Sequence, residues 1–282
     1  MPYRFLVIPI IIFLVGCTHT PLAPQQRTNN ANNLAAAENW VKQTLPSTPL
    51  GLVAYIPKKR QRARELTIYI EGDGLAWLTK SLVSPDPTPQ NPVGLKLALK
   101  HPNGVAVYLA RPCQYILDKT TPGCNNTHWT NGRFSAAVIA SSQDAINILK
   151  QQFGAKEIRL VGYSGGGAVA ALIAAQRDDV TSLITVAGNL DHAKWSHEHR
   201  ITPLKGSLNP VDYWQSLQDI PQVHFVGDMD DIVGKEIAES YASHFPVRKK
   251  PNIQIIERFD HSCCWSQQWP ELMSRAKSIL FP

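Results

Sequence analysis

The stretch Gly162-Tyr163-Ser164-Gly165-Gly166 follows an apolar, β-branched run, Ile158-Arg159-Leu160-Val161, and precedes a run of small residues. This order predicts a strand, a tight turn and a helix, with Ser164 at the turn. Such a turn strains the backbone of the serine, so the residues two before and two after it must be small enough for strand and helix to pack closely. Gly162 and Gly166 occupy those two positions. The stretch therefore predicts a serine held at the end of a buried strand.

Short β-branched runs alternate with helical patterns over most of the chain. Strands are predicted at 50–56, 65–70, 104–110, 157–162, 182–187, 222–227 and 252–257. Helices are predicted at 34–45, 93–100, 135–153, 167–176, 235–245 and 267–280. This alternation is typical of the α/β class and predicts a mostly parallel, doubly wound sheet flanked by helices. Two long polar connections, 113–133 and 191–214, leave room for at most a small lid.

Two later strands end in residues that could form a catalytic site with Ser164. The strand at 222–227 runs into a cluster of carboxylates, and the strand at 252–257 is followed by His261. A serine hydroxyl is a poor nucleophile at neutral pH, so a histidine must take its proton as it attacks. A carboxylate is then needed to orient the imidazole and to stabilise its cation. The pattern indicates nucleophilic catalysis by Ser164 with His261 as the base.

The order of serine, carboxylate and histidine, each after its own strand, resembles the α/β-hydrolase family of serine hydrolases from about residue 50 to the C-terminus. The resemblance implies the α/β-hydrolase fold and a Ser-His-Asp triad. It also implies a small-molecule substrate, most simply a carboxylic ester that is cleaved through an acyl-enzyme. Peptidase and thioesterase activities are variants within the same class. A different class, a non-catalytic envelope lipoprotein that uses the fold as a binding module, is the alternative.

Three neighbouring carboxylates could supply the acid of the triad. Asp230 matches the family position best, because the common pattern is Gly, two residues, Asp, two residues, Val, here Gly227, Asp230 and Val233. Asp228 and Asp231 remain as alternatives. Like charges crowded together repel one another, so the two that do not orient the histidine are expected to face solvent or to cap the next helix.

The resemblance also implies an oxyanion hole made of two backbone N–H groups. One belongs to the residue after the nucleophile, Gly165. The other comes from the loop that follows the strand at 65–70, where family members often carry His-Gly-Gly and this chain has Glu71-Gly72-Asp73-Gly74. Glu71 replaces the usual histidine, so both Asp73 and Gly74 are candidates for the second donor.

Residues near the predicted catalytic loops could contact a substrate. Trp77 and Trp265 are candidates for an acyl or aryl pocket, and Arg111, directly after a strand, could bind a substrate carboxylate or phosphate or tie down the long loop. His192, His197 and His199 have no cysteine or carboxylate beside them at a convincing ligand spacing. No metal and no cofactor are predicted, and the sequence gives no indication of oligomeric state.

The first seventeen residues have the features of an export signal. A short basic start and an apolar run over 5–15 end at Leu14-Val15-Gly16-Cys17, which resembles the lipobox of bacterial lipoproteins. Cys17 is therefore the predicted lipidation site. Residues 18–33 are predicted to be a disordered tether and residues 34–282 the catalytic domain. Because Thr18 is not an aspartate, we expect attachment to the outer membrane, facing the periplasm.

The net charge is +6, part of it in the basic runs 58–64 and 248–250, which we expect to be solvated or to contact anionic lipid headgroups. Nucleic acid is not an expected partner of an exported lipoprotein.

Four cysteines remain after Cys17, and an oxidising compartment allows them to pair. Pairing of Cys113 with Cys124 is the simplest arrangement and leaves Cys263 with Cys264, but cross pairing is equally allowed by the sequence.

Overall fold

In a computed structural model that describes residues 21–117 and 123–281, eight strands form one sheet with helices on both faces. The strands are β1 (Trp40–Leu45), β2 (Leu52–Pro57), β3 (Glu65–Ile70), β4 (Val105–Leu109), β5 (Glu157–Tyr163), β6 (Val180–Val186), β7 (Gln222–Gly227) and β8 (Asn252–Ile256). The helices are α1 (Pro24–Ala37), α2 (Val93–Leu99), α3 (Ala136–Phe153), α4 (Gly165–Ala174), α5 (His192–Glu198), α6 (Trp214–Leu217), α7 (Lys235–Ser243) and α8 (Trp265–Leu280).

The strand order is β1-β2-β4-β3-β5-β6-β7-β8, and all pairs from β4 to β8 are parallel. The pairs β1–β2 and β2–β4 are antiparallel, so β2 alone runs opposite to the other strands, near one side of the sheet. The central strand β5 is buried over its last six residues, as expected of a strand covered on both faces. The sheet is thus the mostly parallel, doubly wound sheet that the sequence predicts. The loops after β3, β5, β7 and β8 all leave its carboxyl edge.

The helices bury two separate cores, one on each face of the sheet. Helices α3 and α4 pack over one face, and α1, α2 and α8 over the other. Helix α3 begins where the Ser135 hydroxyl accepts the N–H of Val138, and it ends at Gly154 in the left-handed conformation, φ 63°. No helix in the described part of the chain is long and apolar enough to cross a membrane.

The N-terminal predictions are wrong in two places. Residues 24–33, predicted as tether, form most of α1, and residues 40–45, predicted as the end of a helix, form β1. Polar composition suggested disorder, but contacts distant in sequence stabilise α1. The buried Arg27 side chain donates to the carbonyl of Thr88, and the Tyr55 hydroxyl donates to Asn32. These contacts cannot be read from local sequence because their partners lie far along the chain.

The two long polar connections are tied to the body by specific contacts. The first carries the disulfide between Cys113 and Cys124, whose Cα atoms are 5.6 Å apart, and a short 3-10 helix, Asn126–Trp129. The second carries α5 and a further 3-10 helix, Pro210–Tyr213. The indole N–H of Trp195, in α5, donates to the carbonyl of Ile232 in the loop after β7. This segment is therefore attached to the carboxyl edge.

The glycines around Ser164 are required by close backbone contacts. A Cβ on Gly162 would lie 2.3 Å from the carbonyl oxygen of Gly166, and one on Gly166 would lie 2.3 Å from the carbonyl oxygen of Ile70. Backbone atoms cannot give way cheaply at such distances. A side chain at either position would therefore push the backbone segments apart and destabilise the turn.

We expect Gly166→Ala to lower the free energy of unfolding by about 1–3 kcal/mol, the usual cost of overpacking. Urea denaturation followed by circular dichroism measures this change. Gly51→Ala is the matched control, because a Cβ there meets nothing closer than 3.6 Å. A Gly166→Ala variant as stable as the Gly51→Ala variant would contradict this account of the turn.

Candidate active site

Ser164 lies directly between β5 and α4 in a strained backbone conformation, φ 52° and ψ −124°. A positive φ costs a non-glycine residue free energy and persists only where surrounding contacts enforce it. Here the N–H of Ser164 donates to the carbonyl of Val186, and the Ser164 carbonyl accepts the N–H groups of Gly167 and Asn189. These bonds hold the turn, and the half-buried side chain projects from the carboxyl edge of the sheet.

The side chains of Ser164, His261 and Asp230 form one continuous hydrogen-bonded chain. The Nε2 atom of His261 is 3.0 Å from the Oγ atom of Ser164. Its Nδ1 atom is 2.9 Å from Oδ2 and 3.1 Å from Oδ1 of Asp230. With a proton on Nδ1, the imidazole donates to Asp230 and accepts the hydroxyl proton of Ser164. This geometry is that of a nucleophile, a base and a residue that orients the base.

Asp230 is the one member of the carboxylate cluster that bonds to His261. Its side chain is fully buried, and Oδ1 also accepts the N–H groups of Ile232 and Val233 at 2.9 and 2.8 Å. Asp228 is exposed and accepts the N–H of Arg258, and Asp231 is exposed as well. Backbone donors therefore fix the Asp230 carboxylate in the orientation that His261 needs.

The loop that carries His261 is held by two aromatic side chains. The Tyr163 hydroxyl donates to the His261 carbonyl at 3.1 Å, and the indole N–H of Trp265 lies 3.0 Å from the Asp260 carbonyl and 3.2 Å from that of His261. The N–H groups of Cys263 and Ser262 bind the Asp260 carboxylate and lower its pKa. Cys263 and Cys264, directly beyond, are joined in a disulfide.

The loop after β3 packs directly against the serine turn. A Cβ on Gly72 would lie 3.2 Å from the Cβ of Ser164. Glu71, at the position where histidine was expected, is fully buried and accepts the N–H groups of Gly72 and Gly94 and the Tyr108 hydroxyl. Burial raises the pKa of Glu71, and these donated bonds act in the opposite direction. Glu71 thus fastens the loop to α2 and β4.

Asp73 follows in the same loop and is paired with two arginines. Its Oδ1 is 3.2 Å from Nη1 of Arg111, and its Oδ2 is 2.6 Å from Nη1 of Arg133. Burial alone would raise the pKa of the Asp73 carboxyl, but the charges and hydrogen bonds of Arg133 and Arg111 outweigh it and lower that pKa. A Cβ on Gly165 would lie 2.1 Å from Asp73 Oδ1. Two cations therefore neutralise a carboxylate that lies beside the serine turn.

Three backbone N–H groups are available at this junction. The N–H of Gly165 belongs to the first turn of α4, where no intrahelical acceptor exists. The N–H groups of Asp73 and Gly74 also have no acceptor among the residues that the structure describes. Gly74, at φ 66°, lies against the carbonyl of Pro87, whereas Asp73 lies against Gly165. Asp73 and Gly74 therefore both stay predictions for the second donor.

We expect Arg133→Gln to lower kcat by at least about tenfold while leaving KM within a few-fold, below the loss of 10²–10³ for removal of a whole oxyanion donor. The substitution leaves Asp73 with one cation, so the loop is held less firmly and more negative charge remains beside the developing oxyanion. Steady-state hydrolysis of a soluble ester measures this effect. Arg159→Gln, which breaks an ion pair with Glu65 near the opposite edge, is the control and should leave kcat unchanged.

The structure assigns different surroundings to the three predicted substrate contacts. Trp77 is partly exposed in the loop after β3. Trp265 is completely buried under the histidine loop, so the prediction that it contacts substrate is wrong. Arg111 is also buried and is bound to Asp73 and to the carbonyl of Arg133. These contacts agree with the second prediction from the sequence, that Arg111 holds the long loop in place.

The sequence analysis missed Arg133. The only signal in the sequence was Asp73 in the predicted oxyanion loop, because a carboxylate that is buried there needs a cation as its partner.

The Cys113 to Cys124 and Cys263 to Cys264 pairings both occur in the structure. Cys17 lies outside the described residues. Within 21–117 and 123–281, no three histidine, cysteine or carboxylate side chains come together as ligands for a metal ion.

Comparison with known proteins supports the fold. A family model for the alpha/beta hydrolase fold matches residues 115–217. An alpha-beta serine hydrolase homologue from Coxiella burnetii is similar to this chain at TM-score 0.55 and 15% identity, over 83% of this chain and 94% of the other. An esterase domain from a Rhodothermus marinus protein gives TM-score 0.54 and 15% identity, over 86% and 99%. No curated protein sequence matches the chain.

An esterase from Pyrococcus furiosus is similar at TM-score 0.57 and 11% identity, over 86% of this chain and 91% of that one. Sequence identities this low carry information about fold and not about substrate. Together with the sheet order and the serine turn after β5, these similarities establish that the chain has the α/β-hydrolase fold.

Proposed function

We propose that this protein is a serine hydrolase that cleaves carboxylic esters. The observation that carries the proposal is the hydrogen-bonded chain from Ser164 through His261 to Asp230, with distances of 3.0 and 2.9 Å. A fold can be kept for binding alone, but binding does not require a strained serine aligned with a base and a buried acid. Two structurally similar proteins are described as esterases, which favours an ester as the substrate but does not identify the substrate.

In the proposed reaction, Ser164 Oγ attacks the ester carbonyl carbon as His261 Nε2 takes the hydroxyl proton. The carbonyl oxygen becomes an oxyanion, which the N–H group of Gly165 and a second N–H group, from Asp73 or Gly74, stabilise. Collapse of this intermediate breaks the bond to the alcohol, and the alcohol leaves with the proton from His261. A water molecule then attacks the acyl-enzyme by the same route, so one ester and one water give one acid and one alcohol.

We also propose that the protein is exported and anchored to the outer membrane, facing the periplasm, through lipidation of Cys17. The apolar run over 5–15 that ends in a cysteine supports this proposal. The two disulfides support export as well, because disulfides form and persist in oxidising compartments. Mass spectrometry of the mature N-terminus tests the anchor: a diacylglyceryl-modified Cys17 is expected, and an unprocessed Met1 would contradict it.

Hydrolysis of a series of p-nitrophenyl esters that differ in acyl length tests the substrate class. We expect clear turnover that changes with acyl length, because an acyl-binding site has a finite size. The rate could be near zero at every acyl length although Ser164 still reacts with an active-site probe. That result would contradict an ester substrate and favour an amide, thioester or polymeric substrate. A protein without reaction at Ser164 would instead be the binding module.

A further inference from the structure

The exposed apolar side chains of this protein are concentrated at the edge of the sheet that carries Ser164. Among the described residues, eight of the twelve exposed large apolar side chains lie in loops after the carboxyl ends of parallel strands or at the start of α1. Three belong to one hairpin in the loop after β3, closed by a bridge between Trp77 and Val83: Trp77 is 39% exposed, Leu78 39% and Leu82 55%. Scattered apolar exposure is ordinary, but apolar exposure concentrated on one edge marks an interaction surface.

The described chain begins against the loop that carries this hairpin. The N–H of Leu22, itself exposed, donates to the side chain of Gln90, which lies in the same loop after β3. Leu22 is the fifth residue after Cys17. A fully extended chain covers at most about 3.3–3.6 Å per residue, so five residues reach about 18 Å. A lipid anchor at Cys17 therefore keeps the start of α1, and the loop after β3 that carries the hairpin, within a short distance of the bilayer.

We propose that the apolar hairpin at residues 77–83 docks on the lipid bilayer, so that the edge carrying Ser164 faces the membrane. This inference rests on the proposed anchoring at Cys17. Leu78 and Leu82 would enter the interface, and Trp77 would lie at headgroup depth, where an amphipathic indole ring is favoured. The exposed Lys80 at the hairpin tip would meet anionic headgroups. The ester substrates within reach would then be those presented by a lipid surface.

The distribution of charge gives this docking a direction. The exposed carboxylates Asp228 and Asp231 lie in the loop after β7, away from the hairpin in the sheet order, and would be repelled by anionic lipid. The hairpin side would therefore approach the bilayer more closely. The competing orientation uses the opposite edge, where Arg62, Arg64 and Lys156 line a concavity of about 560 Å³. A membrane test must distinguish these two edges.

Quenching of tryptophan fluorescence by brominated acyl chains makes the distinction. The full chain is incorporated into vesicles of phosphatidylethanolamine and phosphatidylglycerol with and without brominated chains, and Trp77→Phe and Trp40→Phe variants are compared with wild type. Trp40 begins β1 at the opposite edge and is the matched control. We expect the part of the signal that Trp77 contributes to be quenched and the part from Trp40 to be unaffected. Quenching of Trp40 alone, of neither residue, or failure of the full chain to float with the vesicles would overturn the proposal.

A second variant keeps the docking separate from the catalytic proposal. Leu78→Ser with Leu82→Ser removes apolar surface from the hairpin and leaves Ser164, His261 and Asp230 untouched. We expect hydrolysis of an ester embedded in the vesicles to fall at least about tenfold, with hydrolysis of a soluble ester unchanged. An equal rate on the embedded ester would overturn docking. Quenching at Trp77 in a protein that hydrolyses neither ester would refute the proposed function and leave the docking intact.

Discussion

Ser164→Ala is expected to lower kcat for ester hydrolysis by about 10⁴-fold or more, because no other hydroxyl in the described residues lies within hydrogen-bonding reach of His261 Nε2. The acyl-enzyme cannot form without Oγ, and only slow attack by water remains. Removal of this hydroxyl leaves no buried charge without its partner. The fold should therefore survive, with an unchanged circular dichroism spectrum. The measurement is steady-state hydrolysis of the best p-nitrophenyl ester.

Ser262→Ala is the matched control for this prediction. Ser262 is exposed next to His261, and its hydroxyl makes only a 3.4 Å contact with Asp260. Its substitution should leave kcat within about twofold, as expected for a surface position outside the hydrogen-bonded chain. Equal activity of the Ser164→Ala variant and wild type would show that the reaction, if any, takes place elsewhere.

Asp230→Asn is expected to lower kcat by about 10⁴-fold while the protein stays folded. The amide oxygen of asparagine can still accept the N–H groups of Ile232 and Val233, so the loop retains its shape. The amide nitrogen, however, would be presented to Nδ1 of His261. The imidazole then carries its proton on Nε2, and it can no longer accept the proton of Ser164.

The neighbouring carboxylates provide controls of identical chemistry. Asp228→Asn and Asp231→Asn remove exposed charges that make no bond to His261, and each should leave kcat within a few-fold of wild type. The comparison of the three variants by steady-state kinetics therefore identifies the acid. A large loss in Asp228→Asn or Asp231→Asn, with Asp230→Asn near wild type, would contradict the geometry.

The parts of the fold that were predictable are those in which local pattern and tertiary environment agree. β-branched runs such as Ile158-Arg159-Leu160-Val161 are apolar because both faces of a central parallel strand are buried. Ser164, Asp230 and His261 each follow a parallel strand, so their chain order was enough to bring them to one edge. The resemblance to a known family added which of three carboxylates to favour.

The parts that were not predictable depend on partners distant in sequence. Helix α1 has few apolar residues, and its stability comes from contacts such as the buried Arg27 with the carbonyl of Thr88. Nothing near Arg133 in the sequence indicates that it pairs with Asp73, sixty residues earlier. Trp265 was placed correctly beside His261, but its burial beneath the histidine loop could not be inferred from spacing alone.

Reaction with a fluorophosphonate tests the central claim most directly, because this reagent modifies only a serine whose nucleophilicity is raised by its surroundings. The folded wild-type protein is incubated with the probe and digested, and the peptides are analysed by mass spectrometry. The account predicts one phosphonyl adduct, on Ser164, formed with loss of fluoride and absent from the Ser164→Ala variant. A folded wild-type protein with unmodified Ser164, or an adduct on a different serine, would contradict it.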